Sequence, residues 1–403
     1  MKKVFSLLLV AMVLLAFAAC GGGGGQTSDS STPPASGSAS TAPSGDLPDE
    51  IIIGGLAPLT GGVAQYGIAS NNGTMLAVDE INAAGGILGK PIKYIPYDEQ
   101  GDPTEATTAY DRLVNEDGIV ALIGDITTGP TLAVAQKALA DNMPMITPTG
   151  TGAAITAVGP NIFRTCFTDP YQGELMANYA ADRLEATTAA ILYDTGDDYS
   201  KGVADAFEAA APALGITITA KEGYQSGAVD FNSQLAKIKE GNPDVVMAPC
   251  YYGDAALILA QARDLGIDAY FLGPDGYETT AQKVDPSNYD ILNKVYYCHH
   301  YAMSDPGPRL QEVIDAYKAK YGEDDENLNG FTILGYESMY IMAAAIEAAG
   351  SVDSQAIIDA LTNLNYEGVS GAINFGGGQD PAREAVIIEF VDGEEKLLGT
   401  YSF

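Results

Sequence analysis

The chain has 403 residues, of which 46% are hydrophobic and 18% charged, and a formal net charge of −33. That length exceeds one ordinary core and sets an expectation of two domains. A polyanion of this size repels nucleic acid and anionic lipid, so neither is an expected partner of the folded part.

Residues 1–19 read as a signal peptide: Lys2 and Lys3 form a positive n-region, the run VFSLLLVAMVLLAFAA is apolar, and Cys20 follows at once. The stretch Leu15-Ala16-Phe17-Ala18-Ala19-Cys20 resembles a bacterial lipobox. The resemblance implies cleavage before Cys20 and a lipid on its sulfur, which holds the protein to the membrane; an ordinary secretory signal with Cys20 unmodified is the alternative. Residues 20–45 are mainly Gly, Ser, Thr, Pro and Ala with one acid. They cannot bury a core and read as a flexible linker, so the folded part is expected to begin near Asp46. No later run is long and apolar enough to span a bilayer.

From there short apolar runs alternate with helical patterns. EIIIGGLAPLTG is a strand running into a Gly-rich loop, and NNGTMLAVDEINAAG places Met75, Val78 and Ile81 at helical spacing. KPIKYIPYDEQ is a second strand, and DPTEATTAYDRLVNEDG a helix capped by Asp102 before Pro103. Residues Ile119 to Ile123 form a third strand, which stops in the loop Asp125-Ile126-Thr127-Thr128-Gly129; Pro130 then opens a helix, with Thr128 or Gly129 as its N-cap. MPMITPTGTG is a strand ending in a second Thr-Gly loop. At NIFRTCFTDPYQG the pattern restarts, and the strand–helix rhythm continues to NKVYYCHHYA. Two helices follow, RLQEVIDAYKAKYG and LGYESMYIMAAAIEAAG, and the tail EAVIIEFVDGEEKLLGTYSF reads as a hairpin turned by Asp392-Gly393. The fold class is therefore α/β, with mostly parallel sheets covered by helices.

Ligands of such sheets bind beyond the carboxyl ends of the strands. The amides of a helix start favour an anion, so the loop before Pro130 reads as an anion shelf, joined by Pro148-Thr149-Gly150-Thr151-Gly152 at the neighbouring strand end. Neither loop is basic, which favours a carboxylate over a phosphate. Asp275, at the end of AYFLGPDG and followed by Gly276, suits an ammonium group. Tyr199, Tyr251 or Tyr252, and Tyr66 supply candidate aromatic walls. An anion shelf, an acid and aromatic walls are what a free α-amino acid needs.

The segments APLTGGVAQYG, LAVDEINAAGGILGKPI, DEQGDPTEA, IGDITTGPTLA, PTGTGA, FRTCFTDPYQG, FNSQLAKIK and GPDGYE together resemble the substrate-binding proteins of branched-chain amino-acid ABC transporters, with the type I periplasmic-binding fold. The resemblance covers residues 50 to about 392. It implies that Thr128, Gly150 and Thr151 hold the ligand carboxylate, that Tyr199 is a pocket aromatic, that Asp275 with Gly276 holds the ammonium, and that Tyr66 and Tyr252 line the side-chain pocket. It implies two similar doubly wound lobes joined by three crossovers, placed near Arg164–Asp169, Cys298–Ala302 and Pro381–Ala385. The lobes are then 46–165 plus 302–382 and 166–301 plus 383–403. It further implies an extracytoplasmic, lipid-anchored monomer that delivers an amino acid to an ABC permease, with no cofactor and no chemistry. The alternatives are the same fold binding an amide, urea or aromatic acid, and an extracellular α/β enzyme.

Other motifs fall short. His299 and His300 are the only histidines and lie at an expected crossover, with no GxSxG or HExxH, so a structural role is expected. GGILGKP lacks P-loop spacing. DENLNGFTILGYE nears a calcium loop through Asp325, Asn327, Asn329 and Gly330, but Tyr336 stands at the twelfth position. Cys166, Cys250 and Cys298 sit in or beside apolar runs and read as buried free thiols, without zinc spacing.

Overall fold

The computed structural model describes residues 47–369 and 371–403. The expected signal peptide, Cys20 and the linker lie outside the described residues. Five strands, β1 (Ile51–Ala57), β2 (Ile92–Asp98), β3 (Ala121–Ile123), β4 (Met145–Thr147) and β5 (Ile162–Arg164), form a first sheet in the order β2-β1-β3-β4-β5, all parallel. Helices α1 (Ala64–Ala83), α2 (Pro103–Arg112) and α3 (Thr128–Ala140) connect them. Strand residues alternate between two cores: Ile53, Ile123 and Ile146 face α1 and its neighbours, while Leu56, Leu122 and Met145 face α2 and α3.

A second sheet follows the same plan. Helices α4 (Asp169–Leu184), α5 (Asp198–Ala210), α6 (Asn232–Gly241) and α7 (Tyr252–Asp264) accompany strands β6 (Thr188–Asp194), β7 (Thr217–Tyr224), β8 (Val245–Met247), β9 (Tyr270–Gly273) and β10 (Val295–His299). Helices α8 (Pro308–Tyr321), α9 (Gly330–Ala349) and α10 (Ser354–Thr362) come next, then strands β11 (Asn365–Gly368), β12 (Gly371–Asn374), β13 (Ala385–Val391) and β14 (Glu394–Tyr401). The sheet order is β14-β13-β10-β9-β8-β6-β7, with the β13–β14 hairpin antiparallel on a parallel body. Counted in order of appearance, the five parallel strands repeat the order of the first sheet, so each sheet has its own switch point between its first and third strands. The hairpin turns at Asp392 and Gly393, with φ of 53° and 80°, as an Asp-Gly turn of this kind requires.

Three segments, 165–168, 300–307 and 376–384, carry the chain between elements of the two sheets. They are tied to one another. The Phe167 amide donates to His300 Nε2 at 2.9 Å, and Arg383 Nε donates to the Thr165 carbonyl at 2.7 Å. Arg383 also pairs with buried Glu337 at 2.8 Å, and Glu337 accepts the Tyr301 hydroxyl. Burial holds both histidines neutral, His299 with its pKa pushed down to about 3. Cys166, Cys250 and Cys298 are buried free thiols.

Several expectations shift. Helix α1 begins at Ala64, so Tyr66 stands in its first turn rather than in a loop. Met75 is 37% exposed, because the stripe through Leu76, Ala77, Val78 and Ile81 is the one that faces the sheet and α9. Helix α3 begins at Thr128, two residues before Pro130, since the Thr127 carbonyl already accepts the Thr131 amide at 3.1 Å and hydroxyl at 2.7 Å. Asn329, read as part of a near-calcium loop, caps α9 by accepting from the amides of Phe331 and Thr332. Helix α10 and the β11–β12 hairpin go unread in the sequence.

Candidate functional site

The loops after β3 and β4 from the first sheet, and those after β6, β8 and β9 from the second, meet around a small cavity. Its lining includes Thr127, Thr128, Thr149 and Thr151 on one side and Tyr199, Tyr251, Asp275 and Gly276 on the other. Tyr66, Ile126 and Phe331 complete it. The cavity thus lies off the carboxyl ends of both sets of strands, where a doubly wound sheet offers a crevice.

The threonine side is built by two loops pressed together. Gly152 donates its amide to Thr128 Oγ1 at 3.2 Å, and a Cβ on Gly152 would fall 2.5 Å from the Thr128 methyl group, so only glycine allows that approach. The Thr149 hydroxyl donates to the Ile126 carbonyl at 2.6 Å, joining the loops again. Fully buried Arg164 fixes the second loop from behind, donating to the carbonyls of Gly150 at 2.8 Å and Gly152 at 2.9 Å while its Nε pairs with Asp380 at 2.6 Å. The amides that open α3 have no intrahelical acceptor, as at any helix start.

Asp275 follows β9 and is 3% exposed. The Tyr199 hydroxyl donates to its carboxylate at 2.7 Å and accepts the Gly276 amide at 2.9 Å. A Cβ on Gly276 would stand 2.8 Å from that hydroxyl, so glycine is needed here too. The Asp275 amide donates to Gln172 Oε1 at 2.8 Å. Burial pushes the Asp275 pKa up to about 6, against the pull of the hydrogen bond from Tyr199. A buried acid held this way is suited to a cation.

Tyr66 closes the cavity. Its hydroxyl donates to the Gly276 carbonyl and accepts the Tyr252 amide, and its ring lies 4.6 Å from that of Phe331. Tyr251 stacks on Tyr199 with centroids 5.0 Å apart.

Of the residues expected from the sequence, Tyr66, Thr128, Thr151, Tyr199, Asp275 and Gly276 share the cavity lining. Gly150 and Tyr252 do not. The Gly150 amide is committed to Thr147 Oγ1 at 2.8 Å, and Tyr252 packs edge-on against Tyr66 behind the wall that Tyr251 forms. Ile126, Thr127, Thr149, Tyr251 and Phe331 join the lining without having been selected, though Tyr251 was an open choice beside Tyr252. Phe331 carried no signal, because it comes from the start of α9, far away in sequence. Among the described residues no group of three or more His, Cys, Asp or Glu side chains could hold a metal ion.

The sequence pattern of the periplasmic binding proteins matches residues 50–394. The chain belongs to that family. Its Leu/Ile/Val-binding relatives include a leucine-, isoleucine-, valine-, threonine- and alanine-binding protein of Pseudomonas aeruginosa, 31% identical over 333 residues, covering 81% of this chain and 86% of the relative. A Leu/Ile/Val-binding protein homolog of Brucella melitensis is 34% identical over 319 residues, covering 77% and 82%. The branched-chain amino-acid substrate-binding protein LivJ of Streptococcus pneumoniae, solved with isoleucine, superposes with a TM-score of 0.80 at 31% identity, over 87% of this chain and 99% of that one. A benzoate-bound solute-binding protein from R. palustris superposes at 0.78 with 20% identity, which shows the shared fold alone. The architecture is thus the two-lobed α/β fold of this family, and its members named here are solute-binding proteins.

Proposed function

We propose that the cavity captures a free aliphatic α-amino acid, with a branched side chain fitting best, and that the loaded protein delivers it to an ABC permease. One observation carries the reading: Asp275 and two threonine loops line one small cavity. The carboxylate of the ligand lies on the opening amides of α3, with Thr128 donating its hydroxyl. The ammonium pairs with Asp275, and the side chain lies among Tyr66, Ile126, Tyr251 and Phe331. A benzoate-like acid without an amine leaves Asp275 buried and unpaired, at a cost of several kcal/mol, so the aromatic-acid alternative fits less well. The names of the P. aeruginosa relative and of the isoleucine-bound S. pneumoniae structure support the same ligand class.

Ligand bridging both sides stabilises the closed form by its differential affinity for closed over open. The lobes that close are 46–165 with 302–382 and 166–301 with 383–403. A lipid on Cys20 keeps this monomer at the outer face of the cytoplasmic membrane, beside its permease. Isothermal titration of ligand-stripped protein with a panel of amino acids is the test. Heat with leucine, isoleucine or valine is expected; no heat with any amino acid overturns the proposal.

A further inference from the structure

We infer that Glu278 is a positioning residue of the cavity: from the turn that carries Asp275 it reaches across to the first amide of α9, and so holds Phe331 on the cavity wall in the loaded protein. The inference rests on reading the cavity as an amino-acid site that closes around its ligand.

Glu278 and α9 belong to different sides of the molecule. Tyr277 and Ala281, close to Glu278 in the chain, share a core with Val246 and Phe271 of the second sheet. Met339, Met342 and Ile346 of α9 share one with Ile53 and Ile123 of the first. Between the two sides, Glu278 Oε1 accepts the Gly330 amide at 2.8 Å. Oε2 stands 3.2 Å from His299 Nε2, but neither of those atoms has an aligned hydrogen bond among the described residues. The residue is nonetheless only 1% exposed. A buried acid whose hydrogen bond is made to the opposite side is not explained by the packing of its own side.

Helix α9 needs this acceptor. The first amides of a helix have no intrahelical partner. Asn329 takes those of Phe331 at 3.0 Å and Thr332 at 3.4 Å, as an N-cap side chain does, and leaves that of Gly330 to Glu278. Gly330 is fitted to the contact: a Cβ there would run into the His299 ring and stand 3.3 Å from Glu278 Oε1. The next residue is Phe331, whose ring lies 5.1 Å from that of His299 and 4.6 Å from that of Tyr66.

Phe331 and Asp275 line the same cavity. The Glu278 amide donates to the Asp275 carbonyl at 3.1 Å, so one turn carries both the acid at the cavity and the acceptor that fixes the start of α9. When the two sides part, the Gly330 amide turns to water. When they meet, the bond forms and Phe331 is set. Burial, with the charge of Glu395 added, pushes the Glu278 pKa up. The bond asks only for an oxygen, which an uncharged carbonyl also supplies.

Isothermal titration of ligand-stripped protein with leucine is the test. Glu278→Ala leaves a buried amide without an acceptor and is expected to weaken leucine roughly five- to a hundredfold, whereas Glu278→Gln keeps the oxygen and is expected to stay within about threefold. The melting temperature of Glu278→Ala is expected to match that of the unaltered protein without leucine and to fall below it with leucine. Unchanged leucine binding by Glu278→Ala, equal losses in the two variants, or an equal drop in melting temperature with and without leucine overturns the inference while leaving the amino-acid site intact. Should Glu278→Ala fail to fold, amide hydrogen exchange in the unaltered protein decides. The Gly330 amide is expected to be protected with leucine and to exchange freely without it; equal protection in both states contradicts the inference. If the unaltered protein binds no amino acid, this inference and the proposed function fall together.

Discussion

The Tyr66 hydroxyl, on α1, donates to the Gly276 carbonyl, beyond β9, at 2.6 Å, and accepts the Tyr252 amide at 3.0 Å. One side chain beside the first sheet thus satisfies two backbone groups belonging to the second, and does so at the wall of the cavity. Tyr66→Phe keeps the ring and removes both bonds. At about 0.5–1.5 kcal/mol net for each, ligand affinity is expected to fall roughly five- to a hundredfold, chiefly through faster release. Stopped-flow tyrosine fluorescence measures that rate; an unchanged off-rate removes Tyr66 as a latch.

Asp275→Asn keeps the size of the side chain and its bond to Tyr199 but removes the charge. Truncating one partner of a buried charged pair costs about 2–5 kcal/mol, so leucine affinity is expected to drop by at least roughly thirtyfold. 4-Methylpentanoate, which has no amine, is expected to bind at least as well as before. Competition titration of the two ligands reads the switch directly.

The raised pKa of Asp275 gives a pH dependence of definite sign. Burial puts that value at about 6, so the acid is ionised above this pH and neutral below it. The ligand ammonium is charged at and below this pH. Affinity is therefore flat near pH 8 and falls as pH drops through about 6, approaching tenfold per unit below it. Titrations from pH 5 to 8 check this, and Asp275→Asn is expected to lose the dependence.

A second acid pair sits behind the first threonine loop. Glu99 and Asp125 are both fully buried, and burial raises both pKa values, with the charge of Asp125 raising Glu99 further. The unfolded chain releases these protons in the ordinary carboxylate range, whereas the fold holds on to them longer. The contribution of this pair to stability is therefore fullest at acid pH and declines as pH rises toward 9. Asp125→Asn relieves the repulsion, and its melting temperature is expected to exceed that of the unaltered protein at pH 9 by more than at pH 6. Differential scanning calorimetry at the two values decides the sign.

Arg164→Met removes the guanidinium that holds two loop carbonyls and Asp380. Buried carbonyls left without donors cost about 1–3 kcal/mol each. A stability loss on the order of 3 kcal/mol is expected, with ligand affinity falling as well because the second threonine loop is no longer fixed. Denaturant melts with and without leucine separate the two effects.

Periodicity carried most of the fold. The strand cores at Ile51–Ala57 and Thr188–Asp194, the Asp102 cap and the Asp392-Gly393 turn are local features that a few neighbouring residues specify. The loops after strands pointed to the right edge of the sheets, and six of the eight selected residues line the cavity. What stayed hidden depends on partners distant in the chain. Tyr251 and Tyr252 are adjacent, and it is Tyr251, stacked on the distant Tyr199, that lines the cavity. Gly150 looked available until Thr147 Oγ1 took its amide. Arg164 and Asp169 read as crossover residues, because nothing nearby in sequence shows that one braces a loop and the other touches Thr151.

A crystal structure of the ligand-stripped protein reloaded with leucine tests the central claim most directly. The account predicts the leucine carboxylate on the opening amides of α3 and Thr128, and its ammonium within hydrogen-bond reach of Asp275. Leucine seated outside this cavity, or turned so that its carboxylate faces Asp275, contradicts it.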